Sequence, residues 1–343
     1  MAFKKKTNWK KLLLVILNIV LSVVFLAALS LTVYVEWLLS RFQESENQTA
    51  TMNSQQVENL LQEDQNQVKP EGITEVKPED VQWEIVENPE AGNHIFNILL
   101  VGQDRRPGEM RARSDTMILV TINTEDYSVT TTSFMRDLYV QIPGMAPNRL
   151  NVPYAVGGFD LLADTMELNF GIRPDRYLEV DFSGFERIVE AVGGVDVELT
   201  ADEAAYFNQK YGFGAAPGMF HLNAENALRY ARCRSIEGDG DFSRTRRQRT
   251  IVSAVIAKAK TLDLAQINEM VLAMTDVFTT NLTSTEILSY VVKFYPQIQM
   301  LAQPKQISIP YGDAYYSAWV DGVGAVLVPD LKSNSAIIAK TQE

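Results

Sequence analysis

The stretch Tyr177-Leu178-Glu179-Val180-Asp181-Phe182-Ser183-Gly184-Phe185-Glu186-Arg187-Ile188-Val189-Glu190-Ala191-Val192-Gly193-Gly194-Val195-Asp196-Val197-Glu198-Leu199 changes its hydrophobic period twice within 23 residues. Tyr177–Phe182 alternates as a strand does, and Phe185–Val192 has helical spacing closed by Gly193-Gly194. Val195–Leu199 alternates again. The same change recurs on both sides. Upstream, Ile95–Val101 (IFNILLV), Met117–Ile122, Val129–Ser133 and Leu138–Ile142 read as strands, and Phe159–Phe170 as a helix. Downstream, Ala224–Arg232 and Ser243–Leu262 read as helices. Residues 263–303 are mostly helical, and Gln306–Ile309, Tyr315–Val320 and Ala325–Val328 return to strand. Strands interleaved with helices predict a layered α/β domain with a mixed central sheet, here placed at 91–343.

Ahead of that domain, Leu12–Val35 is an uncharged run of 24 residues. As a helix it is long enough for a hydrocarbon core of about 30 Å. Residues 1–11 carry five lysines, whereas Glu36, Glu44 and Glu46 follow the run. That asymmetry predicts an anchor at 12–35 with a cytoplasmic basic tail and the rest outside the cell. A cleaved signal peptide is the rival reading, but its apolar region is normally shorter. Residues 44–90 hold twelve acids and two lysines, so 36–90 reads as an acidic stalk with one short helix at Thr51–Asp64.

The net charge of −12 excludes nonspecific nucleic-acid binding as the main task. Two histidines and one cysteine exclude a Cys/His zinc site and a disulfide framework. A bound metal would therefore take oxygen ligands, as magnesium, manganese or calcium do.

Between Phe96 and Arg249 stand sixteen arginines and one lysine. Guanidinium groups suit bidentate recognition of phosphate and tolerate burial better than ammonium. One group holds Arg105, Arg106, Arg111 and Arg113. A second holds Arg229, Arg232, Arg234, Arg244, Arg246, Arg247 and Arg249. In the second helix, at about 100° per residue, Gln248 falls about 40° from Arg244, on the stripe that Ile251 and Val255 continue. Arg246 and Arg249 fall on the other side and are expected in solvent. Arg173, Arg176 and Arg187 are expected to pair with surface acids. Asp104 and Asp115 stand at strand ends near the arginines, a weak magnesium pattern by spacing alone.

Together these segments resemble the LytR-CpsA-Psr family of cell-wall proteins. The matching blocks are Val101-Gly102-Gln103-Asp104-Arg105, Arg113-Ser114-Asp115-Thr116, Ser133-Phe134-Met135-Arg136-Asp137, Asn151–Gly158 and Gly193-Gly194-Val195. Ala227–Arg234, Asp241-Phe242-Ser243-Arg244 and Arg247-Gln248 complete the set, within a motif core at 95–262. Arg149 stands where the family often has lysine, and Cys233 lies between two motif arginines, where it suggests sensitivity to thiol reagents.

The resemblance implies a three-layer α-β-α extracellular domain with phosphotransferase activity. Its substrate would be a glycopolymer (teichoic acid, capsule or another wall polysaccharide) on a polyprenyl-pyrophosphate carrier, and peptidoglycan would accept it through a phosphodiester. Asp104 and Asp115 would bind magnesium, or manganese in its place. Arg113, Arg136, Arg232, Arg234, Arg244 and Gln248 would bind pyrophosphate, and Arg136, Asp137 and Asp241 would be catalytic, with Asp137 or Asp241 as base. An apolar tunnel for the prenyl chain is implied, with Phe159–Phe170 and Phe185–Val192 as lining or simply as core. Competing readings are a lipid pyrophosphatase with water as acceptor, a noncatalytic envelope regulator, and a structural wall protein. The expected location is the cell membrane, single-pass, with no nucleic-acid partner.

Overall fold

In the computed structural model, the described residues are 34, 37, 52–65, 68–86, 92–103, 113–236, 238, 240–263, 265–267, 269–270, 278–283, 286–287, 289–290, 293 and 295–343. The expected membrane span lies outside them, apart from Tyr34. Among the described residues no helix is long and apolar enough to cross a membrane.

Helix α1 (Ser54–Gln65) precedes strands β1 (Ile95–Gln103), β2 (Ser114–Asn123) and β3 (Val129–Phe134) and the short pair β4 (Tyr139–Val140) and β5 (Asn148–Arg149). Helix α2 (Val152–Phe170), β6 (Arg176–Val180), α3 (Phe182–Ala191), β7 (Val195–Leu199), α4 (Ala201–Tyr211) and β8 (Gly218–Leu222) follow. The chain continues through α5 (Ala224–Arg232), α6 (Asp241–Ala259), β9 (Thr279–Thr280), β10 (Lys305–Ile309), β11 (Tyr315–Val320), β12 (Gly324–Pro329) and α7 (Leu331–Ala339).

Six strands form the main sheet in the order β10-β3-β2-β1-β6-β9. β1–β2, β2–β3 and β6–β9 are antiparallel, while β1–β6 and β3–β10 are parallel, so the sheet is mixed as expected. The two strands of the opening stretch part company, however. β6 joins the main sheet, whereas β7 pairs with β8 in a separate hairpin. Gly193 and Gly194 make this possible with φ of 77° and 84°. A Cβ at Gly194 would sit 2.8 Å from the Leu222 carbonyl oxygen, so only glycine lets β7 approach β8 there.

Adjacent residues of a strand face opposite sides of the sheet, and the end of β3 uses this directly. The Phe134 ring packs 5.3 Å from that of Phe170 on α2, whereas the neighbouring Ser133 accepts a hydrogen bond from Arg249 on α6. Helices α2 and α6 thus cover opposite faces. Phe159, Leu162, Ala163, Met166 and Phe170 of α2 are core residues packed with β1, β2 and β3. Val189 and Val192 belong to a second core with the β7–β8 hairpin, α4, α5 and α6.

The expected stalk differs from what forms. From Met52 onward the segment joins the domain: Met52 N donates to the Val156 carbonyl at 3.0 Å, and Val76 N to the Trp319 carbonyl at 2.9 Å. Leu60, Leu61, Val76, Val81 and Trp83 pack against the cores. These few apolar residues lie scattered among the acids, so average composition hid them.

Candidate active site

The sequence between β3 and β4 places Arg136 and Asp137 at one end of the sheet. Asp115, near the start of the neighbouring β2, sits beside them. Asp241 and Arg244 come from the first turn of α6, which Gly240 initiates with φ of 51°. The Gly240 carbonyl accepts from the amide of Arg244 at 3.2 Å and from the hydroxyl of Ser243 at 3.0 Å, which fixes that turn.

Arg136 is the centre. Its Nη1 donates to Asp115 Oδ1 at 2.6 Å, and its Nε lies 3.6 Å from Asp137 Oδ2 and 3.4 Å from Asp241 Oδ2. Arg244 Nη2 donates to Asp241 Oδ2 at 2.9 Å and to the Asp115 carbonyl at 3.2 Å. Arg234 Nε stands 3.4 Å from Asp241 Oδ1. Three guanidinium groups and three carboxylates from four segments therefore form one ionic ring. Burial works against the charge of Arg136, but Asp137, Asp241 and Asp115 outweigh it and hold its pKa above the ordinary value. Burial pushes the Asp241 carboxyl up, against the pull of Arg136 and Arg234, with Asp137 and Asp115 adding to the rise.

The ring is under-satisfied in a way that favours an anion. The Nε atoms of Arg136 and Arg244 are buried without a hydrogen-bond partner among the described residues. A buried donor left unpaired costs about 1–3 kcal/mol. Phosphate oxygens would satisfy these donors, and the arginine side of the ring has the fork geometry for them.

Of the expected site residues, Asp115, Arg136, Asp137, Arg234, Asp241 and Arg244 converge. Arg113 instead donates through Nη2 to the Leu60 carbonyl at 2.6 Å, tying α1 to the domain. Arg232 is exposed, with its guanidinium 4.1 Å from the centre of the Phe182 ring. Asp104 lies outside the described residues. For the implied metal, the described part of the site offers Asp115, whose carboxylate is partly exposed with one oxygen held by Arg136. Among the described residues no group of three or more potential metal-ligating side chains occurs. One or two carboxylates with substrate phosphates nevertheless suffice for magnesium, so the donor set fits.

One expectation on α6 is corrected. Arg249, expected in solvent, is buried, and its guanidinium donates to the Ser133 hydroxyl on β3. Burial, with Arg246 nearby, pushes its pKa down to about 10. Arg247 is fully buried, with Nε 2.9 Å from Glu203 Oε1 and Nη1 bonded to the Cys233 carbonyl at 3.3 Å. The helix is wedged between the sheet and the α4–α5 layer, so its first turns have several buried faces. Arg246 is only half-buried. Cys233 is buried as well, so the expected thiol sensitivity loses its basis. Arg173 and Arg176 do pair with acids, Asp164 with Glu167 and Glu286 respectively.

Sequence reasoning missed Arg149 as a contributor. It is buried, its Nε donates to the Ala325 carbonyl at 3.2 Å, and it lies 3.9 Å from Asp137 Oδ1. Its place in the motif order was the only signal.

An α/β domain with a mixed sheet and an arginine–aspartate ring at one sheet end defines a class of phosphate-handling protein. The LytR_cpsA_psr family profile matches residues 44–340, and the chain belongs to that family. Among curated relatives, the polyisoprenyl-teichoic acid–peptidoglycan teichoic acid transferase TagU of Bacillus cereus is 36% identical over 236 residues, 68% of this chain and 74% of the relative. The solved structure of TagT bound to LI-WTA superposes with a TM-score of 0.59 at 27% identity, covering 80% of this chain and 98% of TagT. TagV of B. subtilis gives 0.58 at 29% identity, covering 73% and 96%.

Proposed function

We propose that this protein is a phosphotransferase that moves a glycopolymer from a polyprenyl-pyrophosphate carrier to peptidoglycan, on the outer face of the cytoplasmic membrane. The observation that carries the reading is the ring around Arg136, with buried, unpaired donors on Arg136 and Arg244. The family and the name of TagU support the substrate class. The lysine-rich tail and the apolar run at 12–35 support the anchor and its orientation.

In this reading Arg136, Arg234 and Arg244 hold the pyrophosphate oxygens, and Gln248, one turn beyond Arg244, adds an amide. Arg113 and Arg232, which the family resemblance adds to the pyrophosphate ligands, would engage only once substrate is present. The acceptor hydroxyl attacks the phosphorus next to the sugar, the bond to the bridging oxygen breaks, and polyprenyl monophosphate leaves. Charge neutralisation and positioning supply most of the rate in such transfers. Asp241 takes the hydroxyl proton, because a carboxylate made more basic by burial is the better acceptor. Asp137 braces Arg136. Asp104 and Asp115 would hold magnesium or manganese, which when bound neutralises charge on the phosphate oxygens. The test is transfer of labelled polymer to insoluble peptidoglycan. Asp241→Asn should lower kcat with KM little changed, whereas loss of KM alone would remove Asp241 from the chemistry.

A further inference from the structure

Two partners compete for the guanidinium of Arg113. It lies two residues before Asp115, roughly 7 Å along an extended chain, a gap that an arginine side chain spans toward the ring. Its Nη2 donates instead to the Leu60 carbonyl of α1 at 2.6 Å, a charge-assisted bond. While that bond holds, the guanidinium faces α1. A bidentate grip on a phosphate in the ring requires it to turn away, so the docked helix and a phosphate ligand exclude each other at Arg113.

Helix α1 is built to leave as a unit. Asn53 and Gln56 cap it reciprocally: Asn53 N donates to Gln56 Oε1 at 3.0 Å, and Gln56 N to Asn53 Oδ1 at 2.9 Å. Its hold on the domain rests on the Met52 amide at the Val156 carbonyl, the Arg113 bond, and Leu60 and Leu61, both only half-buried. A mostly polar helix of 12 residues is marginal once undocked. Such a weakly packed element opens locally, well below the cost of global unfolding. The next segment is fastened instead. Trp319 N donates to the Thr74 carbonyl at 2.8 Å, Val76 N donates to the Trp319 carbonyl at 2.9 Å, and Val81 is buried. A turn at Glu71-Gly72, with φ of 83° at Gly72, stands between the fastened segment and α1.

We propose that α1 is an autoinhibitory latch: docked, it keeps Arg113 on the Leu60 carbonyl, and a phosphate ligand that takes Arg113 releases it. The latch rests on the function proposed above, whose pyrophosphate site it regulates. The test uses the full-length protein in detergent, with inorganic pyrophosphate as the probe. The pair Leu60→Gln, Leu61→Gln weakens the apolar hold without adding charge. Calorimetry should show it binding pyrophosphate about tenfold tighter than wild type, about 1.4 kcal/mol. In the Arg113→Ala background the same pair should change binding by less than about twofold. Hydrogen exchange adds a readout that a merely structural helix would not give. Pyrophosphate should speed exchange at residues 54–65 of wild type and leave it unchanged in Arg113→Ala. Binding by the glutamine pair at or below the wild-type level, a gain that persists without Arg113, or α1 amides that slow or hold steady with ligand would overturn the latch. If binding still depends on Arg136 in that case, the proposed function stands. Pyrophosphate that binds wild type and Arg136→Ala alike, or binds neither wild type nor the glutamine pair, would defeat the proposed function and the latch with it.

Discussion

The Arg247–Glu203 pair gives a prediction whose size follows from burial. Arg247 is fully buried and the Glu203 side chain is 5% exposed, with Nε to Oε1 at 2.9 Å. Arg247→Met keeps much of the side-chain volume but leaves Glu203 charged and buried without its partner. Breaking one side of a buried pair costs about 3–5 kcal/mol. At about 2–4 °C per kcal/mol in a large domain, the melting temperature should fall by roughly 6–20 °C. The double variant Glu203→Gln, Arg247→Met removes both charges, and most of the loss should return, because desolvation no longer opposes folding. Glu203 also caps α4 through the Thr200 amide at 3.1 Å, and glutamine keeps an acceptor oxygen there. Differential scanning calorimetry on all four proteins completes the cycle. Arg247 also holds the Cys233 carbonyl, so activity should fall with stability through the segment that carries Arg234. A single variant within about 1 kcal/mol of wild type, or a double variant worse than either single one, would refute the reasoning.

The remaining predictions concern the ring and its surroundings. Arg244→Ala and Arg136→Ala should each lower transfer by about 10- to 150-fold, the equivalent of about 1.5–3 kcal/mol for a charge-assisted contact, measured as kcat/KM on folded protein. Arg246→Ala should cost far less activity. Arg249→Ala, in contrast, should destabilise the domain by loss of the bond to Ser133, a change seen as a lower melting temperature that Arg249→Lys partly restores. The raised pKa of Asp241 means that the folded state disfavours its ionised form. Its contribution to stability is therefore full below the unfolded carboxyl pKa and is lost as pH rises through the raised folded value. Melting curves in EDTA should show this component in wild type and lack it in Asp241→Asn. Chelator should also abolish transfer, and added magnesium or manganese should restore it; full activity in EDTA would remove metal from the account.

Much of this architecture was legible because its elements carry strong periodicity. Val195–Leu199, Ala224–Arg232 and Tyr315–Val320 form with the boundaries read from the sequence. Helix α4 was missed although Thr200 and Glu203 make a capping box, since its interior Ala201–Tyr211 lacks a clean apolar stripe. Helix α7 was missed for a similar reason, its start marked only by Asp330, whose side chain accepts from Ser333 N. The ring members Asp115, Arg136, Asp137, Asp241, Arg234 and Arg244 could be picked out from motif order, but their convergence depends on four distant segments. Arg249 defeated helical-wheel reasoning for a physical reason. A wheel assumes one buried face, and α6 is covered by β3 on one side and by α5 and β7 on others. The acidic segment before the domain shows the same limit: its net charge was read correctly, yet five scattered apolar side chains decide that it packs.

The most direct measurement follows the phosphorus atom next to the sugar. Full-length protein in detergent is given polyprenyl-pyrophosphate-linked polymer labelled at that phosphorus, magnesium and insoluble peptidoglycan. The account predicts that label becomes covalently fixed to peptidoglycan while unlabelled polyprenyl monophosphate is released in equal amount, and that Arg244→Ala abolishes both. Label released into solution as phosphorylated polymer, at the same rate with or without peptidoglycan, would contradict transfer and identify water as the acceptor.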